Sequence, residues 1–212
     1  MLMLASFRPL TPSKVLAYQT ATYSDTDASS YTFTSQAIGA AASDRYVIVG
    51  VGHSNAAADP SSVTIGGVSA TKIASVTAGS VHNASLWIAL VTTGTTADIV
   101  VTVAGSNRCG IGVWSATGLS GTTAVATGTS TATNPSATIA TVAGGFAIGF
   151  VHIGYPASGD TWTGTGVTER FDTNGESDTN YTGADAPTTG SNITLTCTPS
   201  ASTYAAGVFA SW

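Results

Sequence analysis

Charged side chains are scarce in this 212-residue chain, making up 8% of it against about 25% in an ordinary globular protein. Lysine occurs only at Lys14 and Lys72. The six basic residues, Arg8, Lys14, Arg45, Lys72, Arg108 and Arg170, are scattered and outnumbered by 11 acids, which argues against a basic nucleic-acid-binding face. Leu, Glu and Lys are too few for a coiled coil. Two cysteines, Cys109 and Cys197, are too few for a disulfide framework; they read as two free buried thiols or as one cross-sheet disulfide. No apolar run approaches the length of about 20 residues that a membrane helix needs; the nearest, Val142 to Ala157, contains His152. The opening Met1-Leu-Met-Leu-Ala-Ser-Phe-Arg-Pro9 lacks the basic n-region of a secretory signal. Low charge does not mean disorder, because 43% of residues are hydrophobic and the formal net charge is only -5.

Thr, Ala, Ser and Gly supply more than half of the chain, and an alternation of period two runs through it. In Asp44-Arg-Tyr-Val-Ile-Val-Gly-Val-Gly52, Val47, Val49 and Val51 point one way, while Tyr46, Ile48 and Gly50 point the other. The same alternation marks Ser85–Val91, Asp98–Ala104, Cys109–Ser115, Gly145–Tyr155 and Tyr204–Trp212, with a short strand at Ile193–Leu195. Weaker strands are expected at Val15–Tyr23, Tyr31–Gln36, Ser62–Ile65, Ala70–Val76, Ala137–Val142 and Trp162–Phe171. Turn signals separate them at short intervals, such as Ile65-Gly-Gly-Val68, whose paired glycines accept the positive φ of a two-residue hairpin. Only Ala37–Ser43 suggests a helical turn. The pattern predicts an all-β chain: an antiparallel β-sandwich, jelly-roll-like, over residues 29–212, preceded by residues 1–28 as an N-terminal arm or leading edge strand. Phe7, Arg8 and Leu10 are the residues such an arm would dock on a partner. Several strands carry large apolar residues on one face and small uncharged ones on the other. This pattern fits either cover by neighbouring subunits or a solvated Ser/Thr surface.

Few motifs point to chemistry. Gly52-His-Ser-Asn-Ala56 has part of the form of a nucleophile elbow, but Ala56 replaces the last glycine and Asp59-Pro60 breaks any following helix. His53, His82 and His152 lack metal-type spacing. Six of the 11 acids fall between Asp160 and Asp185. Among them, Asp172, Asn174, Glu176 and Asp178 place oxygen ligands at alternate positions, the arrangement a Ca2+ loop could use, although the spacing departs from an EF-hand. Asp160 with Glu169 or Asp172 would be the carboxylate pair of a glycosidase. Tyr155, Trp162 and Tyr181 flank the acidic segment and are candidates for stacking on a sugar ring. Sequons at Asn83, Asn180 and Asn192 matter only in a eukaryotic secretory route. No catalytic constellation and no cofactor site is predicted.

Ser62-Val-Thr-Ile-Gly-Gly-Val-Ser-Ala-Thr-Lys72, Ser85-Leu-Trp-Ile-Ala89, Thr93-Gly-Thr-Thr-Ala-Asp-Ile-Val-Val-Thr102 and Gly110-Ile-Gly-Val-Trp114 follow the lead-in Gln36–Val49. Together they resemble a family of β-sandwich proteins encoded by tailed phages and prophages. The likeness spans Tyr31 to Trp212 and rests on turn glycines and core positions. It implies a non-enzymatic virion component: a capsid decoration or head-surface protein, or a tail or fibre accessory piece. It also implies a homo-oligomer that binds other virion proteins, assembles in the host cytoplasm and is released by lysis. A carbohydrate-binding module or adhesin is the alternative from the aromatic and acidic residues.

Overall fold

A computed structural model of the chain describes residues 13–54, 58–106, 108–154, 159–175, 179–202 and 204–212. Its regular elements are all β-strands. The first half holds β1 (Val15–Ser24), β2 (Ala28–Ala37), β3 (Tyr46–Ser54), β4 (Ser62–Ile65), β5 (Val68–Ser69), β6 (Thr71–Ala78), β7 (His82–Leu90), β8 (Thr96–Ser106) and β9 (Cys109–Thr117). The second holds β10 (Ala126–Ser130), β11 (Ser136–Ile139), β12 (Ala143–Ile153), β13 (Thr161–Thr163), β14 (Thr168–Asn174), β15 (Asn180–Thr189), β16 (Ile193–Thr198) and β17 (Ala205–Ser211).

The strands form four antiparallel sheets stacked as layers. The first half has an inner sheet ordered β1-β9-β3-β7-β6 and an outer sheet β2-β8-β4-β5. The second has an inner sheet β10-β17-β12-β15-β14 and an outer sheet β11-β16-β13. Replacing β1–β4 by β10–β13 and β6–β9 by β14–β17 turns one pair of orders into the other, with β5 unmatched. Each half is therefore a jelly-roll sandwich of the same topology. Even a local irregularity repeats: β6 bulges between Lys72 and Ala74 against β7, and β14 bulges between Glu169 and Phe171 against β15. Where the sequence reads as one sandwich, the described strands form two, joined through a shared core.

Alternation explains the stacking. Val47, Val49 and Val51 of β3 face the outer sheet, meeting Val63, Ile65, Ile99 and Val101 in one buried cluster. Ile48, Leu86, Ile88 and Trp114 face the other way, meeting Phe146, Ile148, Phe150, Val208 and Trp212 across the seam between the inner sheets. A third cluster, including Val151, Phe209, Leu195 and Trp162, fills the second sandwich. Full burial of each such side chain stabilises by about 1.5–3 kcal/mol.

The seam is complementary because equivalent positions differ in size. Gly50 of β3 corresponds to Phe150 of β12 and lies against it: a Cβ on Gly50 would stand 2.4 Å from the Phe150 ring. The shared bulge aligns Leu86 with Gly183 and Ala84 with Tyr181. The β3–β9 and β12–β17 registers align Trp114 with Ala210.

Several expectations change. Trp162–Phe171 is not one strand: β13 and β14 belong to different sheets. Asn180–Thr189, within the acidic segment, is a strand of the second inner sheet, and β10 also went unpredicted. Residues 38–45 contain no helix and form an irregular link. Of the arm, Val15–Ser24 is the edge strand of the first inner sheet. Phe7, Arg8 and Leu10 lie outside the described residues.

Candidate functional site

The topology gathers most of the sequence-predicted polar residues at one end of the stack. There β3, β6, β12 and β14 finish and β7, β9, β15 and β17 begin. His53 and Ser54 close β3, His82 opens β7, and His152 sits next to last in β12. Three histidines without motif spacing thus share one end. His152 meets His82 edge-on at a centroid distance of 5.1 Å and stacks on Tyr181 at 4.9 Å. His82 in turn stacks on Tyr204 at 5.8 Å. This row of rings crosses the seam from fully buried Tyr181 to Tyr204, which is 45% exposed. Gly52 and Gly110 floor the row, because a Cβ on either would strike the Tyr181 ring.

Ser54 and His152 form a hydrogen-bonded pair, with Oγ 3.3 Å from Nε2. Nδ1 of His152 lies 3.1 Å from the Asn83 carbonyl oxygen. A carbonyl only accepts, so Nδ1 carries the proton and bare Nε2 accepts from Ser54. This is the connectivity of an activated nucleophile, but Ser54 is 6% exposed, His152 is 0% exposed, and Tyr181 and His82 cover the ring. No acyl substrate reaches it in this conformation. Burial first, then the neighbouring His82 and His53, push the His152 imidazole well below its usual range. The hydrogen bonds are those of a neutral imidazole.

His53 points to the opposite face of the same sheet. It is fully buried beside Asn83, its cross-strand neighbour on β7. Burial lowers its pKa to about 4, although the charge of Asp59 and the Asn83 side chain act in the opposite direction.

Two equivalent Asn–Asp contacts brace the loops at this end. In the first half, Asn83 Nδ2 donates to Asp59 Oδ1 at 2.9 Å, and Ser75 and Lys72 donate to Oδ2 at 2.8 and 2.6 Å. Burial opposes ionisation of Asp59, but the donors Lys72, Ser75 and Asn83 outweigh it and hold the pKa below the usual carboxylate value. In the second half Asn180, the counterpart of Asn83, donates to Asp160 Oδ2 at 2.7 Å and to Asp172 Oδ1 at 2.6 Å. Asp160 Oδ1 accepts from the Ser200 backbone N–H at 2.9 Å. Burial pushes the Asp160 pKa up to about 6; Asp172 and Glu169 add to the rise, and Ser200 opposes it.

These contacts decide what the candidate residues can do. Asp172 Oδ2 already accepts from the N–H groups of Gly159 and Asp160 at 2.6 and 3.0 Å, so both its oxygens serve as loop braces. Asn174 is exposed at the end of β14, while Glu176 and Asp178 lie outside the described residues. Among the described residues no group of three or more His, Cys, Asp or Glu is placed to hold a metal ion. Asp160, only 3% exposed, offers no reachable acid for glycoside cleavage. Trp162 is 9% exposed and gives its indole N–H to Thr182 at 2.8 Å; Tyr181 is 1% exposed. Both rings are core, with no face free for a sugar, and Tyr155 lies outside the described residues. Cys109 and Cys197 are free and buried, which raises both thiol pKa values.

Sequence reasoning missed the role of Asn83 and Asn180. Their equivalence appears only once β7 is aligned on β15. No family model matches the chain, and no curated protein or solved structure is similar to it.

Proposed function

We propose that the chain is a non-enzymatic structural protein of a tailed-phage virion, carried on the head surface as a decoration or cementing protein. The observation that carries this reading is the make-up of the two outer sheets. Their seven strands contain one charged residue, Asp98. Exposed rows of Ser30, Thr32 and Thr34 on one side, and of Ser136, Thr138, Thr194 and Thr198 on the other, leave long uncharged faces. Their edge strands carry no Lys or Pro to block pairing. Such faces suit a subunit packed among neighbours. The loop-end carboxylates and histidines brace the fold, which fits a scaffold better than a catalyst. The tie to phage virions is the sequence resemblance between Tyr31 and Trp212. Mass spectrometry of density-purified particles from the phage or prophage encoding the chain tests the reading. Its peptides are expected in the particle fraction; their confinement to the soluble lysate overturns it.

A further inference from the structure

The loop end of the seam holds more titratable rings than its packing requires. His152 is pressed between Tyr181 and the edge of His82, above Gly52, where even a Cβ would lie 2.9 Å from that of His152. Its nitrogens meet a hydroxyl and a carbonyl, so neither has an anion to balance a positive charge. His53 lies behind it on the other face of β3, fully buried. The opposite end of the seam is built differently: Phe146, Trp212, Ile88 and Ala210 make an apolar plug, tied by the paired Phe146–Trp212 backbone hydrogen bonds at 2.9 and 3.1 Å.

We propose that the ring row His152–His82–Tyr204 is an acid-sensitive latch, closed at neutral pH, whose protonation parts the two inner sheets at the loop end while the apolar plug holds the other end. This proposal does not depend on the virion reading. Several described groups face the latch. Ser54 and, through the sheet, His53 approach from β3. His82 and the Asn83 carbonyl approach from β7, and Tyr181 from β15. Asp59 acts on His53, and Cys109, Asp25 and Tyr31 act on Tyr181.

The sign follows from proton linkage. His152 binds a proton less readily in the closed state than in an open one, and His53, on the other face of β3, less readily in the folded state than in the unfolded one. Stability is therefore full above the ordinary histidine value of about 6.5 and falls with pH below it. For His53 the loss levels off at about pH 4. Asp160 works the other way. Its raised pKa favours the folded state as pH falls through about 6, which offsets part of the histidine loss.

Hydrogen-exchange mass spectrometry on the full chain, corrected for intrinsic rates at about pH 7.5 and about pH 4.5, tests this. The expected result is a reversible loss of protection, at least about tenfold, in His82–Leu86, Gly149–Ile153 and Ala205–Val208 at the lower pH, with Tyr46–Ile48 and Ala210–Trp212 unchanged. Substituting His82→Gln and His152→Gln together should suppress that loss. Equal protection at both pH values, uniform loss along every strand, or an undiminished loss in the double variant overturns the latch. Should the double variant fail to fold, imidazole proton titration of the unaltered chain replaces it. A midpoint for His152 below the ordinary value of about 6.5 supports the latch, and a midpoint at that value overturns it.

Discussion

Arg45 places its guanidinium among four carbonyl oxygens in the interior, where the residue is 1% exposed. Nε donates to Val91 at 2.8 Å, Nη1 to Gly39 and Gly94 at 2.6 and 2.8 Å, and Nη2 to Thr93 at 2.7 Å. One side chain thus ties the 38–45 link to the β7–β8 turn, at the end of the fold away from the histidines. Truncation would leave several buried carbonyls unpaired, each costing about 1–3 kcal/mol. Arg45→Ala should therefore lower the unfolding free energy by about 3–5 kcal/mol in urea titration. Arg45→Lys should recover less than half of that loss, because an ammonium cannot reproduce the planar fork. A loss below about 1 kcal/mol for Arg45→Ala would show that the link holds without it. Nothing in the sequence singled out this arginine among six scattered basic residues. Its role depends on carbonyls that the 38–45 link and the β7–β8 turn bring together.

At the level of elements, alternation made most of the architecture legible. The faces of β3 were read correctly from Val47, Val49 and Val51, and the strongest runs overlap the strands observed. Polar text hid β15. Its Asn180, Thr182 and Asp185 look like loop residues, yet Asp185 is buried because Arg170 donates to both its oxygens at 2.8 Å and the Trp114 indole donates at 3.0 Å. The internal repeat was hidden by the physics that makes the seam fit. Two stacked copies of one sheet cannot both present a large residue at a facing position, so Gly50 opposes Phe150, and equivalent strands lose their likeness where likeness is most often sought. A double-mutant cycle tests this coupling. Gly50→Ala alone should cost about 1–3 kcal/mol through overpacking, and its cost should fall by at least about 1 kcal/mol when Phe150→Ala has made room. Additive effects would mean that the glycine serves the backbone and not the ring.

On the scale of the whole molecule, the shared seam makes two jelly rolls one body. Trp114 and Leu86 from the first half and Phe150 and Tyr181 from the second lie in one buried cluster, so each inner sheet loses the core on its seam face if the other leaves. Calorimetry should give a single transition with equal calorimetric and van't Hoff enthalpies; two resolved transitions would show that the halves unfold independently. The outer sheets, with Asp98 their one charged residue, are the surfaces we propose for contact with neighbours, and the proposed virion placement adds the sequence resemblance to them. The copy number of the chain in purified particles, measured against the main shell protein by quantitative mass spectrometry, tests that placement most directly. The account predicts a ratio comparable to that of the shell protein, as a decoration protein requires; a handful of copies per particle would contradict it and point to the neck, tail or fibre.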